Sequence, residues 1–109
     1  MEMVYRAKIP ATGEILESDV FKNVYRYSMQ HAKDAIDPDT SVVVVELERA
    51  WYSDYEYVNQ FGYLQRDIVR CEHIAYLAIS ERGYTIDCAS GVYDIDRSGW
   101  KSIQKEMEV

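Results

Sequence analysis

The sequence predicts an α+β fold, with helices packed on one face of a mainly antiparallel sheet, from three observations. Two alternating runs flank Thr12-Gly13 and read as a hairpin. Apolar residues recur at spacings of three and four over 23–36 and read as a helix. Four consecutive valines at 42–45 read as a strand. Together with the patterns that follow, they give the order β-β-α-β-α-β-β-α across residues 1–109, read as one domain. A chain of this length can close one core without staples.

The first hairpin is defined by register. With Thr12 and Gly13 as the loop, Ile9 faces Leu16, Ala7 faces Ser18 and Tyr5 faces Val20 on one side. On the other side Lys8 faces Glu17 and Arg6 faces Asp19, two opposite-charge pairs. A slip of one residue would exchange the two faces. Asn23 is the expected helix N-cap. Tyr25, Ser28, Met29, Ala32, Ala35 and Ile36 then form the inward stripe, with Arg26, Gln30, Lys33 and Asp34 outside it. Asp37-Pro38-Asp39 ends the helix, because proline disfavours helical geometry in the residue before it.

The valines are apolar on both faces, as a central strand requires, and Glu46 and Glu48 share the face opposite Val45 and Leu47. Further on, Tyr57, Phe61, Leu64, Ile68, Cys71, Ala75 and Ile79 recur at helical spacing. Gly62 weakens the start of that run, so the spacing predicts a helix over 63–80. A strand from His73 to Ser80, turning at Arg82-Gly83, is the rival reading, and Ala75 and Ala78 lean against it. A second hairpin turns at Ser90-Gly91, with Ile86 facing Ile95, Cys88 facing Tyr93 and Asp87 facing Asp94. Ser98 begins a short last helix through Trp100, Ile103 and Met107.

Nineteen acids against twelve bases give a net charge of −7. This balance opposes direct binding to phosphate backbones and favours basic partners or simple solubility. The N-terminus has no apolar leader, and no run approaches the ~18 apolar residues of a membrane span. Cys71 and Cys88 allow a disulfide without requiring one, so a reduced, cytoplasmic setting is expected.

Chemistry is sparsely signalled. On a helix, Cys71 and His73 would diverge by about 200° and could not face one ion or act as a nucleophile pair. Cys71 falls on the apolar stripe, as a small buried hydrophobe would. No glycine-rich phosphate loop is present. No enzyme activity, metal or cofactor is therefore expected.

The stretch 51–63 stands apart. It holds six aromatic residues, two acids and no Lys or Arg. Trp and Tyr dominate binding interfaces because they bury much area at little rotamer cost. Trp51, Tyr52, Asp54, Tyr55, Glu56 and Tyr57 are accordingly the expected partner-binding residues. Asp87, Asp94 and Asp96 form a second acidic candidate. The expected function is a protein–protein interaction module that docks on the basic surface of a nucleic-acid-handling partner. Small acidic inhibitors and nucleic-acid mimics of viruses and mobile elements, the anti-defence type, work in this way. One alternative is a small-ligand module for a nucleotide-like ring, with Arg66, Arg70 and Arg82 holding phosphates; Arg66 and Arg70 would share one helix face. Another is a homodimer sealed by the aromatic stretch.

Overall fold

The computed structural model describes the backbone of residues 1–88 and 91–94 and the side chains of residues 1–83. Its elements run β1 (Glu2–Ile9), β2 (Glu14–Ser18), α1 (Phe21–Asp34), β3 (Val42–Tyr52), β4 (Tyr57–Val58), β5 (Leu64–Gln65), β6 (Ile68–Ser80), β7 (Gly83–Cys88) and β8 (Gly91–Asp94). One antiparallel sheet has the order β2-β1-β3-β6-β7-β8, and β4 and β5 pair separately. The helix α1 packs on one face of that sheet, so the α+β architecture and the antiparallel sheet stand.

The core lies between α1 and the near face of the sheet. Phe21, Val24, Met29 and Ala32 of the helix meet Ala7, Ile9, Val43, Val45, Leu47, Ala75, Leu77 and Ile79. Tyr5 meets Phe21 edge-on, ring centres 5.4 Å apart. Tyr25, Ala35 and Ile36 complete the predicted stripe as partly buried neighbours, while Arg26, Gln30, Lys33 and Asp34 are exposed as expected. The helix starts earlier than predicted. Its N-cap position is Val20, not Asn23, and it has no side-chain cap. Ser18 Oγ accepts the Val20 N–H instead, at the strand–helix junction.

Three further expectations are corrected. The first hairpin closes through a four-residue loop, so Ala7 faces Leu16, Arg6 faces Glu17 and Tyr5 faces Ser18. Pro10 and Ala11 join Thr12 and Gly13 in the turn. Gly13 takes φ +75°, which only glycine adopts cheaply, and both it and Thr12 donate to the Ile9 carbonyl. The shift is two residues, so every side chain keeps its predicted face.

The helix expected over 63–80 is a strand. β6 runs for thirteen residues and pairs with β3 along its length. The residues read as one helical stripe do not share a face, since Cys71 pairs with Ala50 and Ala75 with Leu47, and a β-bulge lies between them. Leu47 pairs with Ala75 but Glu48 pairs with His73, leaving Ile74 as the extra residue. That insertion sets Glu72 and Ala75, three residues apart, on the same face, where an unbroken strand would have a spacing of two. Cys71 is exposed rather than buried. It shares a face with His73, since the two pair with Ala50 and Glu48, so the divergence argument against them fails. Even so, no group of three or more metal-ligating side chains occurs among the described residues.

The second hairpin is also shifted by two. Asp87 stands opposite Val92, and Asp94 opposite Thr85, so the predicted Asp87–Asp94 opposition does not form. Asp96 and the expected last helix lie outside the described residues.

β3 is central, as predicted, but its valines are not all enclosed. Val43 and Val45 are buried under α1, whereas Val42 and Val44 are exposed on the far face beside Ala78 and Tyr76. No helix among the described residues is long and apolar enough to cross a membrane.

Candidate functional site

The aromatic stretch is built by β3 running beyond the core and folding back through a small hairpin into β6. Ser53 donates its N–H to the Asp67 carbonyl at 2.8 Å, which closes the base of this arm. Tyr57 and Val58 pair with Gln65 and Leu64. The tip is held by Asn59, whose Oδ1 accepts from the N–H groups of Phe61 and Tyr63 at 2.9 and 3.1 Å. Gly62 supplies φ +84° there. The asparagine-and-glycine turn was present in the sequence as Asn59-Gln60-Phe61-Gly62, and the helical spacing concealed it.

The arm leaves its apolar side chains in solvent. Tyr55, Phe61, Tyr63 and Leu64 are 73%, 74%, 70% and 72% exposed, with Val58 close behind. Contiguous apolar exposure of this kind marks interaction surfaces. Tyr55 and Tyr57 stack at 6.3 Å with an interplanar angle of 24°. Tyr57 donates its hydroxyl to Asp67 at 2.8 Å, and that hydrogen bond raises the phenol's pKa. Asp54 lies 2.9 Å from the Met1 amino group, and Glu56 is exposed.

Trp51 and Tyr52 form the shoulder of the arm and are half-buried. Adjacent on a strand, they point to opposite faces. Arg70 lies over the Trp51 ring at 4.8 Å and also pairs with Glu72. Arg66 lies over the Tyr52 ring at 5.4 Å and pairs with Glu2 at 2.7 Å. The hydrogen bond to Glu2 raises the Arg66 pKa further. The Tyr52 hydroxyl donates to Glu17, and burial, followed by that bond, pushes its pKa up to about 12.

Below the shoulder lies a charge network that the sequence hinted at only in part. Glu48 is 5% exposed and accepts from Arg6 Nη1 at 3.3 Å, with Lys8 Nζ at 3.5 Å. Arg6 Nε also lies 3.0 Å from Glu17. The network joins β2, β1 and β3 on the face away from α1 and ends at Tyr52.

The structure thus brings Tyr55, Tyr57, Asp54 and Glu56 together on the arm, with Trp51 and Tyr52 at its base. Phe61, Tyr63 and Leu64 are exposed on the same arm, with Leu64 on the hairpin face opposite Tyr57, and the predicted site omitted them. Comparison with protein-family models, curated proteins and solved structures finds no match to this chain. The arm's meaning rests on its own chemistry.

The second acidic candidate lies elsewhere. Asp87 stands opposite Tyr76, well along β6 from the arm's attachment at Ile68, a separation of roughly 25 Å at the rise of a strand. The three arginines of the ligand alternative do not converge either. Arg66 and Arg70 are not on a helix; they stand just before and within β6, each committed to a ring and a carboxylate. Arg82 lies at the turn after the other end of β6, roughly 40 Å away by strand rise.

Proposed function

We propose that this chain is a protein–protein interaction module whose arm docks on a basic surface of a partner, of the kind that nucleic-acid-handling proteins present. One observation carries the reading: Tyr55, Val58, Phe61, Tyr63 and Leu64 stand in solvent on one projecting hairpin. An isolated two-stranded hairpin is marginally stable, so selection for folding alone would not load it with exposed rings.

Charge supports the choice of partner. The stretch 51–65 has no base, and Asp54, Glu56 and Asp67 flank the rings. Rings of this kind supply desolvated anchors and cation–π faces for Lys and Arg, while the carboxylates select and steer cations. A net charge of −7 opposes direct binding to phosphate backbones and favours surfaces that bind them.

The test is affinity capture at low and high salt with the wild-type chain and two variants. Phe61→Ser/Tyr63→Ser removes the anchors, and Asp54→Lys/Glu56→Lys reverses the charge. The expected result is a basic protein captured by the wild type, released by heparin, and lost with the first variant. The second variant should bind weakly, with a flatter salt dependence. Equal capture by all three chains would remove the arm from the interface. Concentration-dependent self-association that Phe61→Ser abolishes would assign the arm to a second copy.

A further inference from the structure

Away from the arm, the edge of the sheet carries a second docking feature. Among the described residues β2 is an outer strand, hydrogen-bonded on one side to β1. Exposed edges offer unpaired backbone groups, and folded proteins blunt them with charged side chains, Pro, bulges, shortness or a covering element. β2 is five residues long and reads Glu-Ile-Leu-Glu-Ser; its two glutamates repel an acidic strand and admit a basic one, and its register with β1 is unbroken. Beside it, β2 and α1 enclose a groove of about 220 Å³ lined by Leu16, Val24 and Tyr27 together with the polar Glu17, Ser18, Asn23 and His31. That volume suits one aliphatic side chain rather than a small-molecule ligand, whose pockets run roughly 300–1,000 Å³. Tyr27 is 62% exposed and forms the outer wall.

We infer that β2 accepts an extended segment of a partner protein as a seventh strand, with the sequence basic–apolar–any–basic running antiparallel to it. Main-chain bonds to the open edge would supply affinity, and the alternating side chains would supply selectivity. The geometry dictates the pattern. The residue opposite Leu16 turns towards α1 and enters the groove against Val24 and Tyr27. The residue before it falls opposite Glu17, and the residue two after it falls opposite Glu14. Both glutamates are accessible at the strand edge, although Glu14 also takes a side-chain hydrogen bond from Thr12. Arg6 and the Tyr52 hydroxyl use Glu17 Oε1, and His31 uses Glu14 Oε2. Opposite charges across neighbouring strands stabilise the pairing.

A second copy fits less well. Two-fold pairing of β2 with itself about Leu16 sets Ile15 against Glu17 and joins two chains of net charge −7. Moving the register by one residue towards the loop puts Glu14 opposite Glu17. The segment therefore comes from a basic partner. This inference does not depend on the arm.

The probe is a fluorescein-labelled, end-capped peptide, Thr-Thr-Lys-Leu-Thr-Lys-Thr-Thr, titrated into the full chain by anisotropy and by amide chemical shifts. Binding should move the amides of residues 14–18 and 23–31 and leave 55–65 in place. Replacing both lysines of the peptide by glutamate should abolish binding. Backbone N-methylation at alternate peptide residues gives two phases. One should weaken binding at least tenfold, about 1.4 kcal/mol, and the other should leave it intact. Tyr27→Lys, at an exposed site, should also weaken it tenfold or more without unfolding the chain. The inference is overturned by absence of binding, by equal affinity of the two methylated peptides, or by shifts confined to the arm. Dimer-dependent shifts at 14–18 without peptide would overturn it in favour of self-pairing.

Discussion

Glu48 is almost fully removed from water, and Arg6 and Lys8 face it from the neighbouring strand. Removing one member of such a set leaves the others uncompensated. Glu48→Ala should therefore cost about 3 kcal/mol in urea unfolding, with Arg6 partly rescued by Glu17. Glu48→Gln should cost less, since it keeps the volume and one acceptor. Tyr52 ends the same network, and its raised pKa has a definite consequence. A phenol that ionises later in the folded state than in the unfolded one holds its proton between about pH 10 and 12 only when folded. Its contribution to stability is present below pH 10 and is lost as pH rises through 12. Absorbance at 295 nm should show a tyrosine step near pH 12 that is absent in Tyr52→Phe. Glu14 runs the other way. His31 holds its carboxyl below the usual range, so that contact stabilises the fold above about pH 4.5 and fades as pH falls through the lowered value. Acid unfolding of His31→Ala should begin at higher pH than that of the wild type. That Arg6 shares a face with Glu17 was readable from alternation alone, although the expected pairs were Arg6 with Asp19 and Lys8 with Glu17. The particular partner was not, since loop length sets it and Thr12-Gly13 fits loops of two residues or four.

At the level of elements, β6 is held by what it pairs with. Leu77 and Ile79 are fully buried under α1, and either one cut to alanine should cost about 2–5 kcal/mol. The arm has no such burial. It depends on its tip turn, on the Ser53–Asp67 bond and on Tyr57–Asp67. Gly62→Ala should cost about 1–2 kcal/mol, because an L-residue resists its positive φ. That cost should be local. Hydrogen exchange at 57–65 should speed up while the melting temperature of the sheet stays unchanged. A lowered melting temperature would mean that the arm is part of the core unit. Arm and core separate for a reason visible in the chain. Val43, Val45 and Leu47 alternate inward, whereas Tyr55, Phe61 and Tyr63 stand in solvent.

The molecule extends 45 × 35 × 19 Å, and among the described residues one helix covers one face of the sheet and an arm stands at one end. Stability is concentrated where β1, β3 and β6 meet α1, so the slowest-exchanging amides should lie in those three strands. The arm lets the chain dock without disturbing that core. On this arrangement an arm variant loses its partner and keeps its fold, which circular dichroism alongside the capture assay would check. A net charge of −7 keeps such chains apart, so raising salt should favour self-association as it weakens capture of a basic partner.

Amino-acid order alone was enough for the first hairpin's faces, the inward stripe of α1, the placing of β3 at the centre and the singling out of 51–63. Each rests on periodicity or composition within about a dozen residues. The strand nature of β6, the pairing partners and the separation of Asp87 from the arm needed the folded chain. Apolar spacing of three and four is a local signal, and only contact with β3, a segment distant in sequence, makes an extended conformation the lower in free energy. Whether the rings faced water or core was likewise open, because burial depends on what lies opposite, and that is settled by topology rather than by neighbours in the chain.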